Sequence, residues 1–204
     1  MGGSIKLQDQ IEAKFKRVRK IATSGFNQAI DYSACIIMLE QGKQGGVHIA
    51  LEQSGANGAA TLLQKALFQH SLVEVMAVFD PVRSGDFHLR VGIEMLGERE
   101  LFDAVAVRGS AGKLTEAITR FQALEGSTTY ETLRHYRNKM GAHLSDFDPG
   151  IREPLIEDLI TFANSSALAA EAFAHGSGVV TLSLDSQMGA HRASAEAFWR
   201  PWRK

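Results

Sequence analysis

Ile11, Phe15, Val18, Ala22, Phe26, Ala29, Ile30, Ser33, Ile37 and Met38 recur at steps of three and four residues, the period that gathers side chains on one face of an α-helix. The spacing predicts one long helix, or two hinged at Gly25. A second stripe, Leu62, Leu63, Ala66, Leu67, His70, Val73, Met76 and Ala77, predicts another helix and makes His70 a core histidine. It stops before "FDPVRSGD", where Pro81 and Gly85 mark a turn. Asp86 then stands where it caps a helix over 87–107. A shorter helix from Leu114 to Leu124 stops at Gly126. Ser127, Thr128 and Thr129 are N-cap candidates for the next, with Glu131 near the place that completes a capping box. "DFDPG" ends that helix, and residues 151–174 form one more, with Ile156, Leu159, Ile160, Ala163 and Leu168 inward.

Two segments break this period. Residues 42–58 are glycine-rich and read as a loop, because repeated glycine raises the cost of ordering the backbone; within them "VHIALE" alternates and suits a short strand. In "VVTLSLD", Val180, Leu182 and Leu184 alternate with Thr181 and Ser183 and read as one short strand. Residues 186–204 give a C-terminal helix and a basic, aromatic tail. With no repeat and no heptad run, the expected fold is all-α: one domain over 1–204, a bundle of about six or seven helices with at most a minor short β element.

Composition narrows the partners. Of 204 residues 45% are apolar, enough for a core, while 22 basic and 23 acidic residues nearly cancel. Net charge therefore neither requires nor excludes RNA, and any contact must be a local patch. The one cysteine, Cys35, excludes an internal disulfide and suits a reducing compartment. No apolar run approaches the roughly 20 residues of a membrane helix. The N-terminus lacks a secretory apolar core, and Asp9 and Glu12 do not suit an acid-poor transit peptide. These features predict a cytoplasmic protein with no membrane partner.

The chemistry concentrates in "YETLRHYRNKMGAHLSD", residues 130–146, which carries Arg137, Asn138 and His143 with small Gly141 and Ala142 between. RNA is cut without metal when its own 2′-hydroxyl attacks the adjacent phosphate. Histidine has the pKa for the proton transfers, and arginine presents a planar fork to the phosphate oxygens. Spacing alone proves little: 13 arginines and 7 histidines in 204 residues give about 1.3 chance matches to an arginine followed by a histidine with four to six residues between them. The chain has two, the second being Arg83 and His88, where His88 reads as the start of a helix. Around Arg137, the adjacent Asn138 supplies a further hydrogen-bonding group and the small residues leave room for backbone approach.

The run "RNKMGAH" resembles the "RN…AH" signature of the HEPN superfamily, and within it the abortive-infection U-type branch. "VFDPVRSGDFHLRVGIEML" and "AFW" are similar to that branch's middle and C-terminal segments. The resemblance implies an all-α fold and a metal-independent endoribonuclease with a composite site in a homodimer, serving phage defence or acting as a toxin. Arg137 and His143 would be catalytic, Asn138 supporting, and an antitoxin or other protein a further partner. Ser145 stands where the toxin branch has tyrosine, so the nucleotide-transfer regulation of that branch does not carry over.

Six residues at about 100° each leave Arg137 and His143 roughly 120° apart on an ideal helix. Either Gly141 lets the last turn deviate, or the side chains converge across a two-fold axis. Against the catalytic reading stands a solvated helix end with Arg137 paired to an acid such as Asp146, in a catalytically silent RNA- or protein-binding module. Lys14, Lys16, Arg17, Arg19 and Lys20 form a basic face on the first helix. Lys16, Arg17 and Lys20, with Lys139 and His135, are the candidate RNA contacts, and a simply solvated face is the alternative. "FWRPWRK" suits base stacking or, more simply, tryptophans packed under the bundle. No Glu-x-x-His pair or cysteine cluster implies a metal, no cofactor is implied, and "GSAGK" is too short for a phosphate-binding loop.

Overall fold

A computed structural model describes residues 2–83, 85–141 and 153–203. The first stripe is one unbroken helix, α1 (Gly2–Gly42). Phe15, Val18, Ala22, Phe26, Ala29, Ser33 and Ile37 are buried as their spacing predicts, and Ile21, Tyr32, Ile36 and Leu39 widen the buried face. That width follows from position, because α1 is packed from several sides. Its neighbours are α3 (Asn57–Ala77), α4 (Leu89–Met95), α5 (Arg99–Arg108), α8 (Ile156–Gly176) and α10 (Gly189–Trp199). The remaining elements are α2 (Gly45–Ser54), α6 (Ala111–Glu125), α7 (Thr128–Gly141), α9 (Leu184–Gln187) and a 3-10 turn, Arg200–Trp202. The all-α expectation holds. Among the described residues there are ten α-helices and no strand.

Both predicted β segments are corrected. The 42–58 segment is not a loop, because α2 occupies most of it and α3 begins at Asn57. Val47 and Leu51, four apart, are buried beside Trp199, while Ile49 between them is 56% exposed. Helical packing thus overrides both the glycines and the alternation. Gly55, at φ 73°, takes the left-handed conformation that stops α2. In "VVTLSLD" Leu182 is exposed, no neighbouring strand offers a ladder, and Ser183 instead caps α9, its Oγ accepting the Ser186 N–H at 3.2 Å.

The predicted helix 87–107 is two helices. Its N-cap is His88, not Asp86; the Asp86 carboxylate accepts the Arg83 backbone N–H at 2.7 Å and closes the turn. The chain breaks at Gly97, and Glu98, extended before α5, pairs with Lys14 at 2.6 Å. On α3 the inward face is Ala60, Ser71, Leu72, Val75 and Met76. Leu62 is 70% exposed, Val73 and His70 are also outward, and His70 is therefore not a core histidine. Leu168 on α8 is likewise exposed.

Alanine at 163, 167, 169, 170, 172 and 174 keeps α8 slim enough to lie buried against α1 and α6. Its C-terminal end is fixed by Gly178 at φ 66°, with Val179 N–H bonding the Ala174 carbonyl and Gly178 N–H that of His175, a Schellman closure. Here the backbone between α5 and α6 touches that end directly. Ser110 N–H donates to the Gly176 carbonyl at 3.0 Å, and a Cβ on Gly109 would lie 2.0 Å from that oxygen.

Candidate functional site

The site is planted by aromatic packing. Phe79, at the end of α3, stacks on Phe121 of α6 with centroids 4.7 Å apart and meets Tyr130 of α7 and Phe162 of α8 at 5.4 and 5.3 Å. Its carbonyl accepts from Arg90 Nε at 3.1 Å. With Phe79 buried, the next residue, Asp80, emerges at the surface. On α7, Ser127 Oγ accepts the Tyr130 N–H at 3.1 Å, which makes Ser127 the N-cap. Tyr130 and Leu133 are buried and set the roll of the helix, and Arg137, one turn beyond Leu133, follows at the edge of the same face.

Arg137 Nη1 donates to Asp80 Oδ1 at 2.7 Å, with the side chains 23% and 40% exposed. Nη2 reaches Asn138 Oδ1 at a long 3.5 Å. The guanidinium is thus oriented from two sides and keeps further N–H donors, so it is chemically able to receive a phosphate oxygen. Its observed acid is Asp80, 57 residues upstream. His135, two residues before Arg137, is half-buried, with Nε2 lacking a hydrogen-bond partner among the described residues. Tyr136 packs edge-on against Phe68 at 6.1 Å, tying α7 to α3. Lys139 is half-buried in the last turn. His143 lies outside the described residues, as do Ala142, Ser145 and Asp146.

The second arginine–histidine match has its histidine at a helix start. His88 begins α4, largely buried, with Nε2 3.4 Å from Asp86 Oδ2 but without hydrogen-bond geometry.

The basic face of α1 is partly engaged. Lys14 pairs with Glu98. Arg17 donates to the Asp86 carbonyl at 3.3 Å, and Lys20 Nζ lies 4.7 Å from the Phe87 ring centroid, so both stand beside the turn that carries Asp80. Lys16, Arg19, Lys20 and Arg108 line a surface groove of about 470 Å³ whose one acidic wall residue is Glu12. Arg108 is bound to Glu12 at 3.0 Å, which leaves Lys16, Arg19 and Lys20 as its net positive charge.

Asp80 is the residue that sequence reasoning missed. Its only local signal is the Asp-Pro step of a turn, and nothing in periodicity links it to Arg137. Among the described residues no group of three or more histidine, cysteine or acidic side chains is placed to hold a metal, and no helix is long and apolar enough to cross a membrane. Compared with known proteins, the chain matches no family model, no curated protein and no solved structure.

Proposed function

We propose that the protein is a metal-independent endoribonuclease of the HEPN type, a cytoplasmic homodimer acting in phage defence or as a toxin. The observation that carries this reading is the oriented guanidinium of Arg137, held by Asp80 with donors to spare. In the proposed reaction the 2′-hydroxyl loses its proton to a histidine base and attacks the adjacent phosphorus. Arg137 neutralises the charge that develops on the non-bridging oxygens, and the departing 5′-oxygen takes a proton as the 2′,3′-cyclic phosphate forms. His143 of one copy serves one proton transfer and its counterpart in the second copy the other, which is why the site needs a dimer. Asn138 supports Arg137, and Lys16, Arg17 and Lys20, with Lys139 and His135, hold the strand.

The same ion pair favours one other reading. A carboxylate already partners Arg137, as in a silent module that binds RNA or protein without cutting. Incubating the purified protein with mixed RNA in EDTA separates the two. The expected result is cleavage with 2′,3′-cyclic phosphate ends, lowered about 10²-fold by Arg137→Ala or His143→Ala, with the double variant little worse. Arg137→Lys restores only part, and His88→Ala stays within a few-fold of wild type. Absence of cleavage, or activity that falls only in proportion to folded protein, leaves the silent module.

A further inference from the structure

Away from Arg137, a second small apolar cluster joins α2, the start of α3 and the C-terminal turn: Val47, Leu51, Ala60 and Trp199, with Met38, Ala56, Leu63 and Trp202 against it. It does not close. A pocket of about 170 Å³ remains between Ala56, Ala59 and Ala60 on one side and Phe198, Trp199 and Trp202 on the other. The three alanines leave the space that larger side chains would fill. The three rings are mutually fixed, with centroids 4.9 to 6.1 Å apart.

Trp199 forms a rigid wall. Its Nε1–H donates to the Met38 carbonyl at 3.0 Å, and it lies so close on α1 that a Cβ at Gly42 would be 2.7 Å from Cζ2. The pocket is therefore preformed, and the buried Trp199 N–H on its wall is already satisfied. The pocket opens to solvent at Ala59 and at Phe198, which is 45% exposed, and water within it finds few polar partners, so an apolar molecule displaces it at little cost.

We propose that this pocket is a binding site for a small, uncharged, single-ring aromatic molecule, which the flanking rings receive edge-to-face or offset-stacked. The site is independent of the ribonuclease reading. Its walls include both tryptophans of the chain, so occupancy has a direct optical signal.

The test uses the full chain with toluene as probe. Tryptophan emission should change saturably with one toluene per chain, and at tenfold over Kd the melting temperature should rise by about 3–5 °C. Benzoate, the same ring with a charge, should do neither. Ala59→Leu projects a larger side chain into the space and should abolish the toluene response at unchanged helicity; if that variant loses helicity, Ala59→Val serves in its place and should weaken binding at least tenfold. A response that fails to saturate, that benzoate reproduces, or that a folded Ala59 variant retains in full overturns the proposal.

Discussion

Replacing Asp80 by asparagine keeps the size of the side chain and an acceptor oxygen, and removes only the charge facing Arg137. At the 2.7 Å separation, the Coulomb attraction is about 1.5 kcal/mol with a water-like dielectric and about 6 kcal/mol at an effective dielectric of 20. Asp80 is 40% exposed, so solvent screening places the pair towards the lower figure, and ordering a long arginine opposes it by up to about 2 kcal/mol. The net contribution should be about 0.5–1 kcal/mol, a drop in melting temperature of about 1–4 °C for a chain of this length. Urea denaturation of Asp80→Asn, Arg137→Ala and the double variant closes a cycle, and its coupling energy should fall in that range and shrink with added salt. RNA cleavage should fall less for Asp80→Asn than for Arg137→Ala, since asparagine still orients the guanidinium. A coupling above about 3 kcal/mol would mean a structural, desolvated pair. Cleavage equal to wild type in Asp80→Ala, which removes the acceptor as well as the charge, would remove Asp80 from the positioning of Arg137.

Gly109→Ala brings its Cβ within 2.0 Å of the Gly176 carbonyl oxygen; overpacking and loss of the Ser110 bond should cost about 2–4 kcal/mol, or about 4–16 °C in thermal melts. Gly25→Ala, whose Cβ meets nothing within 4 Å in the middle of α1, should instead stabilise by about 0.5–1 kcal/mol, and equal melting of the two variants would refute the close-approach argument. Burial pushes the Tyr32 phenol above its ordinary range, only partly offset by the Ser166 hydroxyl. The unfolded phenol ionises near pH 10 and the folded one higher, so this contribution is complete below pH 10 and fades above it by about 1.4 kcal/mol per pH unit. Tyr32→Phe should flatten that alkaline decline in urea titrations, and an unchanged slope would assign it elsewhere.

The long helix was legible because its stripe runs for many turns, and a sustained period has one structural solution. Short windows do not share that property. Val47, Ile49 and Leu51 alternate like a strand, yet Val47 and Leu51 also sit one helical turn apart, and that pair is buried while Ile49 is exposed. On α3 the apolar letters misled by a fraction of a turn, because the inward face uses Ala60 and Ser71 where close packing wants small side chains, leaving Leu62 and Val73 outside. Arg137 and Asn138 were visible as a motif. Asp80 was not, since its pairing with Arg137 is set by the burial of Phe79 and the roll of α7, both products of the whole bundle.

The division of the apolar interior into a large cluster and the small one around Trp199, with Met38 packed against both, bears on how unfolding is observed. Both tryptophans belong with the small cluster, while nearly all of the helical backbone belongs with the large one. Emission then follows the detachment of α2 and the C-terminal turn, and far-ultraviolet ellipticity follows the loss of the bundle. The two signals coincide to the extent that Met38, the Trp199 bond to its carbonyl, the Arg203–Gln41 bond and the shared helices α3 and α10 make the clusters one cooperative unit. A denaturation curve recorded by emission alone reports first on that corner, and equating it with the stability of the protein assumes a cooperativity carried by α1, α3 and α10, the helices that run through both clusters.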